Sequence, residues 1–130
     1  MQLAALDATN NEVEEVSRAR VWAAPGFALA RSRYRVQLVA FRDVVWAYQR
    51  EIETKDGVEI EVAIQTRARN TLAMRVAHEY HSQSILDRIA TCEPSVLIGF
   101  DDRIRRMSFA ERLAEVDAND VNLGKVISGL

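Results

Sequence analysis

Cysteine occurs once, as Cys92, so an intramolecular disulfide is excluded and a reducing compartment suits the chain. Proline occurs only twice and glycine five times, which leaves little room for low-complexity or linker segments. No apolar run approaches the roughly 18 residues of a membrane span. The opening MQLAALDATN lacks the basic and long apolar stretches of a secretory signal. The expected location is therefore the cytoplasm. Charge of one sign is also lacking, since 17 basic side chains stand against 19 acidic ones, a formal net charge of -2. Nucleic acid is not an expected partner for such a balance, although a local basic patch is compatible with it. Neither G-x-G-x-x-G nor G-x-x-x-x-G-K is present, so no phosphate loop is visible. No G-x-S-x-G elbow marks a serine nucleophile.

What is present is an ordinary globular composition over 130 residues, 48% apolar and 28% charged, which suits one domain. Residues 1–18 read as an arm or short helix: Leu3, Leu6, Val13 and Val16 recur at helical spacing but Thr9-Asn10-Asn11 interrupts them. A domain over 19–116 and a tail over 117–130 complete the expected organisation. Between Ala19 and Ala77 the period is two. Phe27–Arg31 and Arg35–Phe41 read as strands. Val44, Trp46, Tyr48 and Ile52 alternate with Val45, Ala47, Gln49, Glu51 and Glu53; Val58, Ile60, Val62 and Ile64 with Glu59, Glu61, Ala63 and Gln65; and Leu72, Met74 and Val76 with Ala73 and Arg75. Such alternation places one strand face on a core and one in water, which favours an antiparallel sheet. Because the inward set is even-numbered in both strands flanking Lys55-Asp56-Gly57, the reading requires a three-residue loop pairing Thr54 with Val58. After Ala77 the spacing turns helical, with Ile85, Leu86, Ile89 and Cys92 on one stripe and Pro94 as the stop. Ser108 and Glu111 form a capping box ahead of Phe109, Leu113 and Val116. Strands first and helices last define the α+β class.

Two motifs add a resemblance. Asp43-Val44-Val45-Trp46-Ala47-Tyr48 resembles the D-[IV]-V-W-x-Y strand of bacterial PH-like domain proteins of uncharacterised function. Pro94-Ser95-Val96-Leu97-Ile98-Gly99-Phe100-Asp101 is similar to their P-x-x-x-x-G-[YF]-[SD] segment. The resemblance implies a curled antiparallel sheet or partly open barrel of about five to seven strands, closed by a C-terminal helix. It implies no particular ligand, because fold does not give function.

Four constellations bear on function. The three-residue loop would set Glu53 opposite Glu59 and Glu51 opposite Glu61 on the solvent face, a like-charge arrangement that invites an arginine or a cation. Exposed glutamates also splay apart, and a solvent-facing pair lacks the burial that acid–base work requires. Arg31, Arg33 and Arg35 share one face if the strand is continuous, with Tyr34 opposite. That is a candidate patch for phosphate or anionic lipid, weighed against a solvated strand paired with the acidic hairpin. Arg103, Arg105 and Arg106 are possible additions to it. Trp46 and Tyr48 read as core with Val44 and Ile52, the sharper alternative being an aromatic platform for a small apolar ligand. His78 and His81 with Cys92 match no familiar zinc spacing, so neither a metal nor a cofactor is expected. The expected function is a non-enzymatic binding module for a protein partner or anionic lipid. Behind it stand a small-ligand carrier with a pocket near Trp46 and an enzyme using His78, His81 and Glu79. A leftover sheet edge leaves room for a homodimer.

Overall fold

The computed structural model describes residues 13–18, 20–32 and 35–128. The expected arm falls mostly outside them, yet its last residues form a strand rather than a helix. β1 (Glu14–Ser17), β2 (Val21–Ala24), β3 (Phe27–Arg31) and β4 (Val36–Ala40) make an antiparallel meander. Tight connections dictate this arrangement. Pro25-Gly26 joins β2 to β3 with Ala24 facing Phe27, and Gly26 takes a φ of 90° that a side chain would resist. β3 ends at Arg31 and the chain turns back, Ser32 donating its backbone N–H to the carbonyl of Arg35 at 2.9 Å. Arg31 pairs with Val36, so Arg31 and Arg35 stand on opposite sides of a strand connection rather than along one strand, and Arg33 lies outside the described residues.

The second sheet has the order β7-β6-β5-β8. Its long strands are β5 (Val44–Thr54) and β6 (Gly57–Thr66), followed by β7 (Thr71–Val76) and the short β8 (Leu97–Ile98). β8 runs parallel to β5 through Trp46↔Leu97 and Ala47↔Ile98, so this sheet is mixed. The architecture is thus α+β, with two four-stranded sheets and a C-terminal helix, and the described residues form no closed barrel.

The expected hairpin register is wrong, for a physical reason. Thr54 pairs with Gly57 and Glu53 with Val58, so the loop is the two residues Lys55 and Asp56. Gly57 takes a φ of 118°, and the Thr54 hydroxyl donates to its carbonyl at 2.9 Å. The parity conflict that seemed to forbid this loop is resolved by a β-bulge between Val44 and Trp46, where Val45 is the additional residue. Val44 packs in one core, whereas Val45 and Trp46 pack in the other. Beyond the bulge the odd-numbered Ala47 shares the core of Val62 and Ile64. Trp46 and Tyr48 therefore do not lie on the face of Val44, as the alternation implied. The glutamates do not oppose each other either: Glu61 faces Arg50, Glu59 faces Ile52 and Glu51 faces Ile60.

The second sheet is consequently covered on both faces at its centre. On one side Val62, Ile64, Met74 and Val76 meet Val21, Ala28 and Val39 of the first sheet and Phe41 of the 3-10 turn that follows it. The same core takes Ile85, Leu86 and Ile89 of α1 (Glu79–Cys92). Those three recur at helical spacing, but Cys92 at the end of the stripe is exposed. Ser82, on the buried side of α1, hydrogen-bonds Gln49 of β5, and Ser17 of β1 accepts the Ala77 N–H at 3.2 Å. On the other side Val45, Trp46 and Leu97 pack against Ile104 of α2 (Asp102–Arg106) and Val116 of α3 (Phe109–Ser128). The Ser108–Glu111 capping box forms as expected, Glu111 N donating to Ser108 Oγ at 3.1 Å and Ser108 N to Glu111 Oε1 at 3.2 Å. The expected tail from residue 117 is helical through Ser128.

Candidate anion-binding cleft

A cleft of about 620 Å³ opens at the seam where β2 and β3 approach β7, lined by Arg20, Ala30, Arg31, Ser32 and Gln37 from the first sheet and by Glu59, Glu61, Ala73 and Arg75, on the face of the second sheet opposite Val62 and Met74. Strand pairing accounts for this assembly. Arg31 N donates to the Arg20 carbonyl at 2.7 Å, which brings these two residues together at the ends of neighbouring strands. Glu61 faces Arg50 on β5 and Arg75 on β7, so the carboxylate sits between two guanidinium groups.

Burial divides the acidic side chains. Glu61 is 3% exposed, a burial that an unpaired carboxylate would not tolerate. Its Oε1 accepts from Arg50 Nε, and this hydrogen bond to Glu61 raises the Arg50 guanidinium above its ordinary value. Arg75 Nη1 pairs with Glu59, and Arg75 Nε stands 4.0 Å from Glu61 Oε2. Both glutamates are thereby matched by Arg50 and Arg75. Arg20 and Arg31 are exposed and form no ion pair with any described residue. Among the described residues the first-sheet wall therefore presents two guanidinium groups without an ion pair, with a hydroxyl and an amide beside them.

Of the arginines singled out in the sequence, Arg31 lines this cleft, Arg35 is exposed at the end of the turn, and Arg33 lies outside the described residues. Arg103 and Arg105 stand apart, paired with Glu115 at 3.0 Å and Asp102 at 3.3 Å. Sequence reasoning missed Arg20 and Arg75, whose convergence depends on inter-sheet packing. It also placed Glu61 in solvent, whereas Arg50 and Arg75 on the two neighbouring strands flank it there.

Trp46 has a structural environment. It is 5% exposed, its Nε1 donates to the Gly99 carbonyl at 2.8 Å, and the Arg112 guanidinium lies 4.4 Å from its ring centroid. Tyr48 packs against it with ring centroids 4.3 Å apart, and Phe100 lies 5.3 Å from Tyr48. Arg112 also donates to the carbonyls of Ile104 at 2.9 Å and Arg105 at 3.0 Å, tying α3 to α2.

His78 and His81 form an aromatic group with Tyr80, the Tyr80 and His81 centroids lying 4.3 Å apart. His81 Nδ1 is buried without a hydrogen-bond partner, and desolvation first, then the charge of His78, lowers the His81 value below the ordinary histidine range. Cys92 lies at the opposite end of α1 from this group. Desolvation first and Glu93 second push its thiol up, which disfavours the thiolate. Among the described residues no group of three His, Cys, Asp or Glu side chains is placed to hold a metal ion.

The fold and cleft define an α+β domain of two packed sheets with a charged, solvent-open site at the seam where they meet. Within that class, residues 1–108 match the family described as Domain of unknown function (DUF6709), and the chain belongs to that family. Helix α3 begins one residue beyond the matched region. Neither curated proteins nor solved structures gave a match to the chain. No helix among the described residues is long and apolar enough to cross a membrane.

Proposed function

We propose that this domain is a non-enzymatic binding module whose ligand places an anionic group against Arg20 and Arg31. The observation that carries the reading is the pairing pattern: Glu59 and Glu61 are occupied by Arg75 and Arg50, whereas Arg20 and Arg31 share the cleft wall without an ion pair to any described residue. Guanidinium groups bind carboxylate and phosphate oxygens through directed, charge-assisted hydrogen bonds. Ser32 and Gln37 add neutral donors, and Ala30 and Ala73 leave space for a small ligand body. The PH-like likeness has support in the element order, a run of antiparallel strands followed directly by α1. The binding reading itself rests on the cleft.

Calorimetric titration of the full chain with inorganic phosphate and with acetate tests it. Binding is expected to weaken with added salt. Each charged hydrogen bond is worth about 1.5–3 kcal/mol, so Arg20→Ala with Arg31→Ala is expected to lower affinity by about tenfold or more. Affinity unchanged by that double substitution overturns the assignment.

A further inference from the structure

We infer that the ligand of this cleft is an organic anion that also carries a hydroxyl group, and that Glu61 Oε2 accepts the hydroxyl hydrogen. The inference rests on the anion-binding reading above and adds a second determinant to it. Glu61 is 3% exposed, yet it lines the cleft. Its Oε1 is clamped by Arg50. Of the Arg75 nitrogens Nε comes within 4.0 Å of Oε2, beyond hydrogen-bond length, while Arg75 Nη1 is engaged with Glu59. No donor among the described residues hydrogen-bonds Oε2. A carboxylate oxygen carries two acceptor sites, so Oε2 is an acceptor without a donor among the described residues, fixed in direction by its clamped partner.

Charge distinguishes a hydroxyl from an ammonium group as the donor. Arg50 and Arg75 already balance Glu59 and Glu61. An added ammonium would sit beside two guanidinium groups and be repelled. A neutral O–H fills the acceptor without disturbing that balance. The ligand then spans the cleft, its anionic end on Arg20 and Arg31 and its hydroxyl on Glu61, with a short carbon skeleton against Ala30 and Ala73. Hydroxy acids and phosphorylated polyols share this chemistry, whether free or displayed as a lipid headgroup.

The test compares matched probes on the full chain by calorimetry: glycerol 3-phosphate against n-propyl phosphate, and lactate against propionate. The hydroxylated member of each pair is expected to bind about tenfold tighter or more. In Glu61→Gln the amide oxygen satisfies Arg50 and the NH2 group turns to the cleft, replacing an acceptor by a donor. The hydroxyl preference is then expected to vanish while affinity for n-propyl phosphate persists. Equal binding of the paired probes to the unaltered chain overturns the hydroxyl assignment and leaves the anion reading standing. Binding of none of the four overturns both. Those two outcomes are read on the unaltered chain and are independent of how well the variant folds. A preference that survives Glu61→Gln in a variant with an unchanged circular dichroism spectrum overturns the role of Glu61. Phosphatidylglycerol vesicles compared with phosphatidic acid vesicles separate the sources: retention on the former together with weak binding of free glycerol 3-phosphate supports a headgroup ligand, and the converse supports a free metabolite.

Discussion

Replacing Arg50 by methionine is expected to damage the protein more than replacing its partner Glu61 by glutamine, although both changes break the same ion pair. The asymmetry comes from exposure. The Arg50 side chain is 43% exposed and the Glu61 side chain 4%. In Arg50→Met the buried carboxylate keeps only Arg75 Nε at 4.0 Å, and a buried charge without close partners is costly. Complete loss of a buried partner costs about 3–5 kcal/mol, and the remaining Arg75 reduces that to about 2–3 kcal/mol. In Glu61→Gln the released guanidinium reaches water and the amide oxygen still accepts from it, so the cost is about 1 kcal/mol. For a chain of this size the first variant is expected to melt about 10 °C below the parent and the second about 4 °C below. Urea unfolding of both variants, of Glu61→Leu and of the double variant Arg50→Met/Glu61→Leu measures the losses, and the last two with Arg50→Met close the cycle. The double variant should recover part of the Arg50→Met loss, because it removes the buried charge as well as its partner. Equal losses in the two single variants, or a larger loss in Glu61→Gln, would refute the account of Glu61 as a carboxylate held in the interior by Arg50.

Three further expectations are narrower. Trp46→Phe removes the Nε1 hydrogen bond to Gly99 and weakens the Arg112 stacking, so urea unfolding should register a loss of about 1–2 kcal/mol. Ser108→Ala removes one half of the capping box and should cost about 1 kcal/mol, with faster hydrogen exchange confined to the first turn of α3. Acid should weaken the fold through His81: its lowered value means that the unfolded chain binds the proton more tightly. Stability therefore falls as pH drops from about 6.5 through the lower folded-state value. His81→Asn should flatten the melting profile between about pH 8 and about pH 5, and an unaltered profile would exclude His81 as its source.

Much of the fold was legible because it is encoded locally. The alternation in β6 and β7, the helical stripe Ile85-Leu86-Ile89, the Pro94 stop and the Ser108–Glu111 box each involve residues a few positions apart. The register of β5 was not legible, because a single bulge at Val45 exchanges the two faces of the strand and leaves no mark in the composition of the segment. That exchange moved Trp46 and Tyr48 to the α3 side and set Arg50 rather than Glu51 opposite Glu61, while Arg75 of β7 takes Glu59 independently of the bulge. Of the candidate cleft, Arg31, Glu59 and Glu61 were singled out in advance, the glutamates with the wrong partners.

The sequence by itself determined the α+β class, the antiparallel middle of the chain and the helices that follow it, because period, turn chemistry and caps act over a few neighbouring residues. Tertiary structure alone decided that there are two sheets, that β8 joins β5 in parallel, and that Arg20, Arg31, Glu61 and Arg75 meet around one cleft. Those residues are separated by up to several strands in the chain. Their meeting depends on the packing of one sheet against another, a long-range outcome of burial that no local pattern records.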